Sequence, residues 1–165
     1  GIFVALAAYL KGGGSSVPAM SRDGGEPVLP SGAVLYTGRP MEVRLPAAER
    51  SSSSLAVSLH RDKLDGKVVH SANGLAPGAR LRWPVLAAAT RYCWHVEADI
   101  ESPAPACFQV SSTQAPARAR ESMAEIDLDV RAGRIGRAVL KAEWLQAHGY
   151  SFDATQVLAE LSNSR

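Results

Sequence analysis

RYCWHVEADIESPAPACFQVS, residues Arg91 to Ser111, consists of two arms of alternating side chains around a Pro-containing break. In the first arm Tyr92, Trp94 and Val96 alternate with Cys93, His95 and Glu97; in the second, Phe108 and Val110 alternate with Cys107 and Gln109. Successive side chains leave a strand on opposite faces, so a period of two marks a half-buried strand. The two arms predict a β-hairpin at the heart of a small sandwich, with the large apolar side chains inward and both cysteines on the opposite face. If the connection centres near Ile100, Glu97 faces Pro103 and Cys93 faces Cys107, within reach of a cross-strand disulfide. We read Cys93 and Cys107 as that disulfide, which implies a periplasmic or otherwise extracytoplasmic location. The alternative is a pair of reduced, half-buried thiols.

Upstream of the hairpin, extended runs recur at short intervals. Ala33–Thr37 and Met41–Leu45 are separated by Gly38-Arg39-Pro40, which breaks or bulges a strand. In LAVSLHR, residues 55 to 61, Leu55, Val57 and Leu59 point inward on the odd numbers. Asp65-Gly66 predicts a tight turn into Lys67–Ser71, and Asn73-Gly74 and Pro77-Gly78 punctuate the chain again before Arg80–Trp83. With no helical period between these signals, residues 32–113 read as one antiparallel all-β domain. Its expected core is Leu55, Val57, Leu59, Trp83, Tyr92, Trp94, Val96, Phe108 and Val110. The run PVLAAAT after Trp83 is longer than a tight turn and leaves the strand order open there.

LAPGARLRW, residues 75 to 83, followed by the Tyr92-x-Trp94-x-Val96 strand and a closing FQV strand, resembles the later strands of a fibronectin type III or immunoglobulin-like sandwich of bacterial extracytoplasmic proteins. That resemblance covers about half the chain. It implies a fold and says little about a ligand, because such sandwiches carry many functions.

At Pro116 the period changes from two to that of a helix. Ala117–Ala132 is charged and Ala-rich, with a stripe of Met123, Ile126 and Val130 and a stop at Gly133. A second helix, Ile135–Ala147, carries Ile135, Val139, Ala142 and Leu145. Ser151 then caps a third, with Asp153 in its first turn and Ala154, Val157, Leu158 and Leu161 as its buried side. The run Leu140–Leu161 resembles one helix-turn-helix unit of the tetratricopeptide type, with Ala142, Gly149, Tyr150 and Ala154 where small and aromatic residues pack two helices. Such units stack in threes or more, so a single one must lean on the sandwich or on another protein. The fold class expected is therefore mainly β with an α tail: an antiparallel immunoglobulin-like sandwich followed by two or three short helices over residues 114–165.

The amino-terminal end is of another kind. Gly1–Leu10, GIFVALAAYL, is almost uniformly apolar and is followed by Lys11 and a Gly/Ser/Pro-rich run. Ten residues are half of what spans a bilayer, and no polar stripe gives a helix here a face for water. Residues 1–11 read as a membrane- or partner-associated segment, contacting lipid or a membrane protein through Ile2, Phe3, Val4, Leu6, Tyr9 and Leu10. Residues 12–31 read as a tether.

The 165-residue chain is 46% hydrophobic and 21% charged, which argues against wholesale disorder and against many membrane spans. Its formal net charge of +2, with arginines spread along the chain, argues against a nucleic-acid partner. The richness in Ala, Arg and Pro points to a GC-rich bacterial gene. His60 and His70 come near each other across the Asp65-Gly66 turn, with Asp62 close by, but solvated histidines of a strand face are far commoner than metal pairs. His95 alone does not complete a zinc cage. No G-x-S-x-G, H-E-x-x-H or Walker loop occurs, and no paired carboxylate lies in an apolar setting. The expectation is a non-catalytic, extracytoplasmic structural or interaction subunit of a bacterial membrane-associated complex, without cofactor or metal, whose partners are other protein subunits. Photosynthetic, respiratory and secretion assemblies fit equally. Two other classes compete: the periplasmic sensor of an anti-sigma-like membrane protein, and a ligand-binding module using the loops after Trp83 and Ala98.

Overall fold

The structure, a computed structural model, describes residues 29–47, 54–99 and 102–163. The apolar segment with Ile2, Phe3, Val4, Leu6, Tyr9 and Leu10, and all but the end of the expected tether, lie outside the described residues. Seven strands come first: β1 (Gly32–Val34), β2 (Pro40–Arg44), β3 (Leu55–Arg61), β4 (Val68–Leu75), β5 (Arg80–Val85), β6 (Arg91–Ala98) and β7 (Ala106–Val110). Three helices follow: α1 (Ala115–Asp127), α2 (Gly133–Ala147) and α3 (Ser151–Asn163). The chain is thus mainly β with an α tail.

One sheet has the order β1-β7-β6-β3-β4, and β2 pairs with β5 in a second. The run after Trp83 finishes β5 with Pro84 and Val85 and then, over residues 86–90, crosses between the sheets, because β5 belongs to the small sheet and β6 to the large one. That is why it exceeds a tight turn. Tyr92 closes the crossover, its hydroxyl accepting the Ala87 N–H at 2.9 Å. Side chains of both sheets meet in one core. All nine residues expected inward from their period are buried, joined by Val34, Val43, Leu45 and Leu86. Phe108 sits between two rings: Trp83 of the small sheet lies parallel to it at 6.0 Å and Tyr92 at 5.9 Å. Burying a side chain of this class contributes about 1.5–3 kcal/mol.

The Arg91–Ser111 hairpin has the expected register, with Tyr92 opposite Phe108 and Cys93 opposite Cys107. The cysteines form a disulfide. Their face is less open than the alternation suggests, for Cys93 is fully buried. The Asp62 N–H is bonded to the Arg91 carbonyl, and the Asp62 carbonyl lies 3.8 Å from the Cys93 sulfur, so the start of the β3–β4 turn covers that end of the hairpin.

Several elements depart from their sequence reading. The sheet is not wholly antiparallel: β1 runs parallel to β7, Gly32 beside Phe108 and Val34 beside Val110. Asn73-Gly74 does not turn the chain but lies within β4. Gly74, at φ 66°, supplies a bulge there, with Leu55 and Val57 set against Leu75 and Ala72. Pro30, expected in the tether, is buried, and its carbonyl accepts the Trp94 Nε1–H at 2.7 Å. The first helix stops at Asp127, five residues short of Ala132, so Val130 leaves the stripe and is 83% exposed. Gly133, at φ 66°, opens α2 and does not end α1. Ile135 faces outward at 66% exposure, because Val139, Ala142 and Leu145 suffice to line the α2–α3 seam. Ser151 is the first residue of α3 and not its cap, since the Tyr150 carbonyl already accepts the Ala154 N–H at 3.0 Å.

Candidate functional site

The helical tail and the sandwich meet at the exit of β1, and the junction is built from three side chains. Phe152, in the first turn of α3, is buried with the sandwich core and not with the helices. Leu35, just past β1, goes the other way and packs on the helical cluster of Val139, Ala142, Leu145, Ala154 and Leu158. Between them the Asp153 carboxylate accepts the Leu35 N–H at 3.0 Å. Burial pushes the Asp153 carboxyl up to about 6 from 3.8; the N–H groups of Leu35 and of Asp153 itself, which favour the charged form, pull it partly back. The single helical hairpin therefore leans on the sandwich, through an exchanged pair of apolar side chains and one carboxylate.

Beside this junction lies an open groove of about 980 Å³, bounded by the β1–β2 connection and by all three helices. That is at the upper end of the range typical of small-ligand sites. Its floor is apolar: Leu35, Met41, Met123 and Val157 are half-buried, and Val34 and Phe152 close it from below. The walls are charged and of mixed sign. On α1 and α2 stand Arg120, Arg134, Arg137 and Lys141 against one carboxylate, Asp127. Lys141 and Asp127 form an ion pair at 2.6 Å. Arg134, Arg137 and Lys141 are spaced by three and four residues, which places them on one face of α2. The rest of the lining carries Arg39 and Glu42 of the β1–β2 stretch and Asp153 and Glu160 of α3.

The other residues singled out by sequence do not converge. His60 pairs in register with Val68, and Leu59 pairs with His70. The two ring nitrogens of His60 lie 3.0 Å from the Gly66 carbonyl and 3.0 Å from the Ser58 hydroxyl. Glu97 stands 3.8 Å from His95 at the surface. His148 stacks on Trp144 and bonds the Trp144 carbonyl at 2.7 Å, at the carbonyl end of α2 where a protonated ring suits the helix dipole. Among the described residues no group of three or more His, Cys, Asp or Glu is placed to hold a metal ion. No described helix is long and apolar enough to cross a membrane.

The junction residues Leu35, Phe152 and Asp153 escaped the sequence reading because each fits a local role there: strand, helix and dipole. The one signal was Phe152 itself, a large apolar residue off the stripe of Ala154, Leu158 and Leu161 that α3 needs for its own hairpin. No protein-family model and no curated protein matches this chain.

Proposed function

We propose that the protein is a non-catalytic interaction subunit of an extracytoplasmic, membrane-associated bacterial assembly, and that the groove between sandwich and tail is where a partner docks. The observation that carries this reading is the groove: an accessible apolar floor between charged walls, beside the junction of sandwich and tail. Its half-buried carboxylate, Asp153, accepts the Leu35 N–H and ties the two layers together. The Cys93–Cys107 disulfide supports an oxidising compartment. The apolar Gly1–Leu10 sequence supports attachment to a membrane or to a membrane protein.

The finer family reading is an immunoglobulin-like or fibronectin type III sandwich. Two features support it: β2 and β5 leave the large sheet, so the chain crosses between the sheets four times, and Tyr92 bonds back across its crossover as the tyrosine corner of such sandwiches does. The antiparallel α2–α3 pair, with Ala142 and Ala154 buried at its seam, supports a single tetratricopeptide-type unit.

The test is extraction of source-cell membranes with mild detergent. The chain is expected to sediment with a large assembly, and Gln156→Trp, which fills the groove from α3, is expected to release it while circular dichroism stays unchanged. A lone monomer in both cases contradicts the reading.

A further inference from the structure

Among the described residues the two sheets have four edge strands: β1 and β4 in the large sheet, β2 and β5 in the small one. An edge presents unpaired backbone N–H and C=O groups to any other strand, and folded proteins blunt it with shortness, proline, charge or a bulge. β1 has three residues; β2 carries Pro40, Glu42 and Arg44; β5 carries Arg80, Arg82 and Pro84. β4 is eight residues long and holds no Pro, Lys, Arg, Asp or Glu. Its two bulges against β3, at Val69 and at Asn73-Gly74, flank the centre and leave His70, Ser71 and Ala72 in regular pairing. From this contrast we infer that β4 pairs antiparallel with β4 of a second copy of the chain, about a two-fold axis at Ser71, joining two five-stranded sheets edge to edge. The inference is independent of the docking reading, because β4 and β1 are opposite edges of the large sheet and the groove adjoins β1.

The side chains and the symmetry favour a copy over a foreign strand. Ser71 and Asn73 are exposed, and a hydroxyl or an amide both donates and accepts, so each bonds to its own kind. Val68, an apolar side chain left 52% exposed, falls beside Gly74 of the copy in this register, and no atom lies within 4 Å of where a Cβ would stand on Gly74. Self-pairing also closes: it uses both open edges at once, and the joined sheet ends on two three-residue β1 strands, whereas a foreign strand brings a new edge with it. Parallel pairing would set the two Lys67 side by side at the start of the strands. The two-fold axis keeps them roughly 25 Å apart at about 3.3 Å per residue, well beyond the screening length.

The test is sedimentation equilibrium of the full, disulfide-bonded chain from about 5 µM to about 500 µM, with amide exchange measured at both ends of that range. The expected result is a reversible monomer–dimer equilibrium with a Kd below about 200 µM, and exchange at His70, Ser71 and Ala72 that slows at the higher concentration while exchange in β1 does not. Ser71→Lys with Asn73→Lys sets like charges across the axis and is expected to weaken the dimer at least about tenfold; Val85→Lys, on exposed β5, is expected to leave it unchanged, with circular dichroism the same for all. Ser71→Cys is expected to be trapped as a disulfide-linked dimer at least about tenfold faster than Asp65→Cys, which reads the pairing without the lysines. A monomer over the whole range, a dimer that survives both lysines or that Val85→Lys weakens instead, or equal trapping at positions 71 and 65 would each overturn the inference. Slowing of β4 exchange only in the detergent-extracted assembly would give this edge to a partner's strand and overturn it as well.

Discussion

Replacing Asp153 by Asn separates the two things this carboxylate does. Asn keeps a side-chain oxygen for the Leu35 N–H but cannot ionise, so the bond across the junction survives and the buried charge is removed. In the native protein the carboxyl titrates near 6 and not at 3.8, so the folded state holds the proton more tightly than the unfolded chain does. The stability from this group is therefore fully present below about pH 3.8 and is lost as the pH rises through about 6. The interval corresponds to roughly 3 kcal/mol at 1.36 kcal/mol per tenfold change in proton affinity. The amide of the variant contributes no such slope, so the stability of Asp153→Asn relative to the native protein is expected to climb by up to roughly 3 kcal/mol between about pH 3.5 and pH 8. Urea unfolding at fixed ionic strength, followed by tryptophan fluorescence at several pH values, measures it. Taking the difference between the two proteins cancels the other carboxylates. A difference independent of pH, or one that falls as pH rises, refutes the argument that burial dominates the environment of Asp153.

Phe152→Ala empties the anchor that the tail places in the sandwich core, and is expected to cost about 3–5 kcal/mol; faster amide exchange at Val34 and Leu35 distinguishes loss of docking from general weakening. Replacing Cys93 and Cys107 by Ala opens a loop of about 15 residues, for which chain entropy predicts a loss near 3 kcal/mol, read as a lower urea midpoint that a reducing agent no longer shifts. Tyr92→Phe keeps the ring on Phe108 and deletes the bond to Ala87, for an expected loss of about 1–2 kcal/mol by the same assay.

Much of this architecture was legible because strand period and core coincide. Leu55, Val57 and Leu59 alternate in sequence and are buried in alternation, and the Arg91–Ser111 hairpin placed its cysteines opposite each other from the position of its break alone. Turn chemistry was less reliable. Asp65-Gly66 lies in a turn whose left-handed residue is Asp62, at φ 72°, and not the glycine, whereas Gly74, at φ 66°, makes a bulge inside β4; an Asx-Gly pair alone does not say which, and the pairing of the flanking residues decides. The stop after α1 was misplaced because Gly133 at positive φ begins α2, a choice set by the packing of Val139 and Ala142 against α3 and not by local propensity. The groove was illegible for a different reason. Its walls come from residues 34–42 and 116–161, brought together only when Phe152 and Leu35 exchange places across the junction, and no pattern within either stretch announces the other.

The central claim, that a partner occupies the groove, is tested most directly by placing a photoreactive benzophenone side chain at Gln156 in the cells that make the protein, with Arg82 on exposed β5 as the control. The account predicts one discrete adduct from position 156 that is absent from position 82. No adduct at 156, or the same adducts from both positions, would contradict it.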